Sequence, residues 1–553
     1  MTLRDPDVLP VMRPFTLAML LGAGVLEGCM RVGPDFQPQH EAWSEHWRSE
    51  AVERVTQQTA QPDVRQWWRV FGDPNLEALM DAGDAGNGDL RIAGLRVLEA
   101  RAQLGIAQAG RYPQVQQIDA NATWSAHRHS AAFSPQSGPA WQYGAGFSIG
   151  WELDFWGRFA RAIESADAAF FAAQANRDAA LVLLHAQIAD TYFTLRTAEA
   201  RLRIARENAQ LQKRSYDITQ KLFKSGETDE LDLQQAKTQY LGTLSSIPDL
   251  ESQIELARHA LSALVGRPPG PLPELDAQPG MSGVLPLVDR AVLQDVPADL
   301  LLRRPDVIAA EYQMAAQSAL IGVAKADFYP SVSLLGSLVW GAGSSHTLAL
   351  VAGPSVTWNV FDHGRIENNV RVQDARLQQL AVAYQNTVRE AAREADDAAT
   401  SLLGAWQRET ILNEAQAAAQ RSLKLANTIY REGYSDFQRV LDAQRALFTQ
   451  QDAYIVNRGN AIGSLIALYK ALGGGWYTEQ PVVDAVTRAR MQQRTDWGNL
   501  IDEVNAPPSA HAQQTSHATQ TSHVAHASPA SSSAAPASRS AAAVAAPSQG
   551  ASR

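Results

Sequence analysis

WQYGAGFSIGWELDF, from Trp141 to Phe155, alternates without a break. Its odd positions hold Trp141, Tyr143, Ala145, Phe147, Ile149, Trp151, Leu153 and Phe155; its even positions hold Gln142, Gly144, Gly146, Ser148, Gly150, Glu152 and Asp154. Successive side chains of a β-strand point to opposite faces, so this segment predicts a strand with one apolar, aromatic-ended face and one small, polar face. A strand of a soluble sandwich also alternates, but its exposed face is seldom so rich in glycine. Lipid on one side and a water-filled lumen on the other suit the two faces. Upstream, Gln114 to Ala126 predicts the partner strand, and Ser130 to Pro139, rich in Ser, Pro and Gly, the loop between them.

The pattern recurs downstream. A shift of 207 positions carries Trp151, Gly157, Arg158, Gly226 and Gly266 onto Trp358, Gly364, Arg365, Gly433 and Gly473, the mark of a tandem duplication. Tyr112-Pro113 meets Tyr329-Pro330 at a slightly larger offset, and Pro113 and Pro330 mark the passage from helix to strand. The second strand pair is predicted at Ser331 to Trp340 and Leu348 to Phe361, around a loop from Gly341 to His346.

Each strand pair runs into a long helix. No proline interrupts Gly157 to Phe223, and Leu181, Leu184, Ile188, Tyr192, Leu195, Ala198, Leu202, Ala205 and Ala209 fall at three- and four-residue steps. The second half matches from Gly364 to Tyr430, with Leu377, Leu380, Tyr384, Val388, Ala391, Ala395, Ala398, Leu402 and Ala405. At ~1.5 Å per residue each helix spans about 100 Å, which no compact domain holds. Two shorter helices per half, Asp89 to Tyr112 and Asp229 to Val265 in the first, match that length when stacked end to end. Helical seams alone describe any coiled coil; strands fused to helices of matched length describe a barrel continuous with a tube. Gly157 and Gly364 supply the bend from strand to helix, and Gly226 and Gly433 the turns at the far ends, where Thr228-Asp229 and Ser435-Asp436 can cap the next helices.

The fold class is therefore mainly α with a transmembrane β-barrel. Four strands cannot close a barrel, so several copies are required, and three copies, giving about twelve strands, fit a wide duct better than two. Behind a basic Arg13, the apolar run Phe15 to Leu26 is too short to span a bilayer and reads as an export signal. No other apolar stretch is long enough for a membrane helix. The net charge of -10 argues against nucleic acid, and a single cysteine excludes intrachain disulfides and Cys-rich zinc sites. Leu26-Glu27-Gly28-Cys29 resembles a lipoprotein box, with Glu27 in place of the usual small or apolar residue, and implies a covalent lipid on Cys29 and sorting by Met30 to the outer membrane.

Cys29-Met-Arg-Val-Gly-Pro-Asp-Phe36, Trp67-Trp68 with Phe71, Asp73-Pro74, Leu76 and Leu79, and Pro297-Ala-Asp-Leu-Leu-Leu-Arg-Arg-Pro-Asp-Val307 resemble the outer-membrane lipoproteins of tripartite efflux systems, the NodT group of TolC-like factors. The resemblance spans Cys29 to Trp476. It implies a homotrimer in a Gram-negative outer membrane, with its helical tunnel in the periplasm, docked to a periplasmic adaptor and an inner-membrane pump of the resistance-nodulation-division type. It also implies a closed periplasmic gate, in which Asp442 is a constriction aspartate and Asp232 and Tyr430 a bonded pair. Three copies of Asp442 would form an acidic ring that holds cations; Arg439 stands where some relatives carry an acidic or neutral gate residue.

The chain so divides into an export signal (1–28), a lipid-anchored extension (29–86), a first repeat (87–270), a linker (271–303), a second repeat (304–476), a C-terminal extension (477–505) and a disordered low-complexity tail (506–553). No P-loop, HExxH, EF-hand loop or nucleophile elbow occurs, and the twelve histidines show no metal spacing, so neither an enzyme nor a bound cofactor is expected. A passive exit duct for drugs or other small toxic compounds is the leading reading. A duct for type I protein secretion and a non-transporting periplasmic coiled-coil scaffold are the alternatives.

Overall fold

The computed structural model describes residues 30–38, 64–125, 140–276, 278, 280–286, 302–343, 346–476, 478 and 480–506. The export signal with Glu27, Cys29, the loop Ser130 to Pro139, most of the linker and the low-complexity tail lie outside the described residues. Short helix α1 (Pro74–Gly86) precedes the first repeat: α2 (Gly88–Ala109), β1 (Val115–Ser125), β2 (Ala140–Leu153), α3 (Arg158–Ser225) and α4 (Glu230–Leu264). The second repeat has the same order: α5 (Pro305–Ala326), β3 (Ser331–Ala342), β4 (His346–Thr357), α6 (Arg365–Arg431) and α7 (Gln438–Ala471). Helices α8 (Ala485–Gln492) and α9 (Leu500–Asn505) come last.

The long helices α3 and α6 run 68 and 67 residues, about 100 Å each at ~1.5 Å per residue. All nine α3 residues of the predicted seam are buried; in α6 seven are, while Leu377 and Leu380 are half-buried. Alanine in alternation with Leu and Tyr lets neighbouring helices approach along the whole length. α3 packs on α2, α4, α5 and α7; α6 packs on α5 and α7.

The short helices meet head to tail, as matched lengths require. Asn87 caps α2, accepting from Leu90 N at 2.9 Å, and its Nδ2 donates to Leu264 O at the end of α4 at 2.9 Å. At the equivalent place Arg304 stands before α5 and donates from NH1 to Ala471 O at the end of α7 at 2.9 Å. Arg304 also forks onto Asp306 (3.0 and 2.8 Å) and reaches Glu394 of α6 at 3.0 Å. Gly266 closes the first junction so tightly that a Cβ there would lie 1.9 Å from Gly86 O.

The strands form one antiparallel sheet in the order β1-β2-β3-β4. Cross-strand partners share a face: Phe147 lies opposite Ile118 and Leu338, and Leu338 opposite Leu350. That face is apolar and exposed, with Trp124, Trp141, Tyr143 and Trp340 near the end away from the helices. The other face carries Asp119, Asn121, Gly146, Ser148 and Ser337. Two strand ends differ from expectation. β2 stops at Leu153, short of Phe155, where Asp154 turns back to cap α3, and β4 stops at Thr357, short of Phe361, because its partner Ser331 is the first residue of β3. The second hairpin loop is also shorter than Gly341 to His346, since Gly341 and Ala342 pair with Thr347 and His346. β1 and β4 each leave one edge without a partner strand among the described residues. No helix among them is long and apolar enough to cross a membrane.

Two peripheral pieces dress this frame. The segment after Cys29 docks at the junction of sheet and helices: Val32 N donates to Trp156 O at 3.1 Å, and buried Arg161 of α3 donates to Val32 O at 3.2 Å and pairs with Asp35 at 2.7 Å. Gly33, at φ 101°, lies so close that a Cβ would sit 2.4 Å from Gly322 Cα of α5. The C-terminal extension packs Val483, Ile501 and Val504 against Val97, Leu98 and Leu104 of α2.

Candidate functional site

The predicted gate residues lie where α3 turns into α4 and α6 into α7. Gly226 (φ 81°) and Gly433 (φ 79°) end the long helices in the left-handed region, with open space around a would-be Cβ, so the demand for glycine is conformational. Glu227 N donates to Leu222 O at 2.9 Å and Tyr434 N to Ile429 O at 3.0 Å, the same closing bond in both turns. The helices beyond the two turns begin differently. Asp229 caps α4 by accepting from Asp232 N at 2.9 Å, whereas Asp436 does not cap α7 as expected. Phe437 takes that place with helical backbone angles and no side-chain cap, its ring buried in the tip core.

That core holds Ala236, Ala419, Leu423, Phe437, Val440, Leu441 and Leu447. Tyr430 packs on it, ring centroid 5.2 Å from Phe437. Burial, and then the nearby charge of Asp232, push the Tyr430 phenol above its ordinary range. The two are neighbours, but among the described residues no hydrogen bond joins them: Asp232 Oδ2 accepts from Thr228 Oγ1 at 2.7 Å. Asp442 is exposed on α7, and its carboxylate is already engaged by Arg445 NH1 and Gln438 Nε2, both at 3.2 Å. The structure places the three predicted residues at the tip, with Asp232 beside Tyr430, Thr228 as the hydrogen-bond partner of Asp232, and Asp442 in an intrahelical ion pair.

At the opposite end of the long helices the glycine bend and the tryptophan tie repeat, while the capping aspartate sits one position later in the second repeat. Gly157 (φ 74°) and Gly364 (φ 82°) precede α3 and α6. Asp154 accepts from Phe159 N at 3.1 Å and Ala160 N at 2.8 Å, and Asp362 from Ile366 N at 2.7 Å. Trp151 Nε1 donates to Arg111 O at 3.2 Å and Trp358 Nε1 to Phe328 O at 3.0 Å, fastening each returning strand to the helix before its partner. Pro113 and Pro330 occupy the helix-to-strand links, and Pro330 O accepts from Trp156 Nε1 at 2.8 Å.

A sheet with a lipid-compatible face, set on two long helices that each end in a glycine turn, is the architecture of a duct. The family described as outer membrane efflux protein matches residues 82–267 and 296–474, the two repeats. The chain belongs to that family. Its relatives include the probable outer membrane lipoprotein SilC of Salmonella typhimurium, 30% identical over 468 residues covering 82% of this chain and 97% of SilC. The cation efflux system protein CusC of Escherichia coli O6:H1 is 31% identical over 480 residues, covering 84% of this chain and all of CusC. Among solved structures, the outer-membrane channel OprN superposes with a TM-score of 0.73 at 32% identity, covering 81% of this chain and 99% of OprN. The chain is thus a channel component for efflux at the outer membrane.

Sequence reasoning missed Arg161, Arg304 and His185 as structural ties of this efflux channel. His185 is wholly buried between Gly475 O and Asp84 Oδ1, 2.7 Å from each. Of the three, only His185, set among Leu183, Leu184 and Ala186, stands in apolar sequence surroundings, the signal that marks a buried polar group with a distant partner.

Proposed function

We propose that three copies join edge to edge, β4 of one beside β1 of the next and α6 beside α2 and α4, into a barrel of about twelve strands on a helical tunnel. The observation that carries this is the open four-stranded sheet, each strand of which continues directly into, or arises from, one helix of the wall. An open edge in hydrocarbon leaves backbone groups unpaired at several kcal/mol each, so only closure by further copies makes the sheet a membrane element. A lipid on Cys29 anchors the chain in the Gram-negative outer membrane, and the tunnel descends into the periplasm. The docked segment Met30 to Pro38 supports this, because it holds the residue after Cys29 beside the sheet-to-helix turn.

In this reading the duct is a passive exit for drugs or other small toxic compounds, loaded by an inner-membrane pump through a periplasmic adaptor. The α6–α7 tips close the periplasmic end, and adaptor and pump open it by binding the open arrangement more tightly. Planar-bilayer recording tests this: the wild-type chain carries a small current, and Tyr430→Ala, which removes the ring from the tip core, raises conductance severalfold. An unchanged conductance removes Tyr430 from the gate. Deletion of the gene followed by a susceptibility panel tests the export of small compounds.

A further inference from the structure

The exposed stripe over the first two turns of α7 carries Arg439, Asp442 and Arg445, two cations and one anion. Asp442 is paired within its own helix by Arg445 at 3.2 Å. Arg439 has no ion-pair partner among the described residues; its backbone N donates to Asp436 O at 3.3 Å. The same place in the first repeat is Asp232, which is half-buried and turned onto Thr228 Oγ1, beside Tyr430 and away from the exposed stripe. Glu432 and Asp436 lie in the turn, before the helix begins. Each chain therefore presents a surplus positive charge on the helix face that bears Asp442.

We propose that Arg439 is a charge-selecting residue of the narrow end, so that the assembled duct prefers anions there, the reverse of an acidic ring. This rests on the reading of the α7 stripe as the wall of the periplasmic constriction. The arithmetic is local: Arg445 cancels Asp442, and Arg439 sets the sign. Anionic small molecules would then pass the tip more readily than cations of the same size.

The test is the reversal potential of the full-length protein in planar bilayers under a potassium chloride gradient, with Arg439→Gln, Arg439→Glu and Asp442→Asn. These side chains are exposed, and oligomer and melting profiles report that the variants fold. The wild type should favour chloride. Arg439→Gln should lower the chloride-to-potassium permeability ratio by about tenfold or more, since each lost charge acting across about 6 Å of water changes chloride and potassium by about threefold in opposite senses, Arg439→Glu should reverse it, and Asp442→Asn should raise it. A potassium-selective wild type that Arg439→Glu leaves unchanged overturns the inference while currents persist and the duct stands. The absence of any current overturns the duct reading and the selector with it.

Discussion

Asn87 and Arg304 stand at equivalent places in the two repeats and solve one geometric problem by different chemistry. Each bridges the start of an upper short helix to the last carbonyl of the lower one, Leu264 or Ala471, themselves equivalent by the 207-residue shift. Asn87 does so with a neutral amide that touches only those two helices. Arg304 adds a fork onto Asp306 and a bridge to Glu394 of α6, and Lys470 approaches Glu394 at 3.6 Å. The position matching Glu394 in α3 is Gln187, so the first repeat has no equivalent carboxylate. Duplication preserved the geometry of the joint; its chemistry was free to diverge, and only the second repeat binds its joint to the long helix.

Arg304→Ala should have the largest effect on this contrast. It leaves Glu394 and Ala471 O without their main donor, and losing charged hydrogen bonds from a buried guanidinium to half-exposed carboxylates costs about 1.5–3 kcal/mol. Denaturant melts of the detergent-solubilised protein should show it, and Arg304→Lys should recover only part, because an ammonium lacks the fork. A loss below about 1 kcal/mol would mean that the ionic joint is ornamental. Asn87→Ala should cost less, about 1 kcal/mol, the scale of a lost helix cap. Equal losses at the two sites would erase the distinction.

The smallest effect concerns pH. Burial pushes the Asp178 carboxyl of α3 up to about 6 despite Arg177 at 3.2 Å, while the unfolded chain titrates near 4. Between those values the folded state holds more protons, so stability should fall as pH rises from about 4 to about 6. The matching position in α6 is Gln385. Asp178→Gln, the second repeat's own solution, should flatten that slope in melts at pH 5 and pH 7; an unchanged slope would assign the pH dependence elsewhere.

Periodicity made most of the fold legible. The alternation from Trp141, the seams of α3 and α6 and the glycines at the turns each report local backbone geometry, and local geometry is what a pattern in sequence encodes. The short second hairpin escaped because Gly341 and Ala342 look like loop residues, yet cross-strand pairing holds them in β3. The strand end at Leu153 escaped because Asp154 reads as continued alternation while its carboxylate serves α3, and the end at Thr357 because its partner Ser331 is the first residue of β3. At the tip, resemblance named Asp442, Tyr430 and Asp232; hydrogen-bond partners are a competition, and Thr228, four residues away, holds Asp232. Arg161 meets Val32 across 129 residues of chain, a contact that no local pattern announces.

The two free edges of the sheet bear on how such a protein is made. In the proposed assembly a single chain entering the bilayer would strand the outward-facing amides and carbonyls of β1 and β4 in hydrocarbon, so crossing the membrane and meeting other copies would be one event. Biogenesis is then a reaction of order higher than one in chain concentration, and scarcity of the protein would show first as chains stalled at the membrane surface.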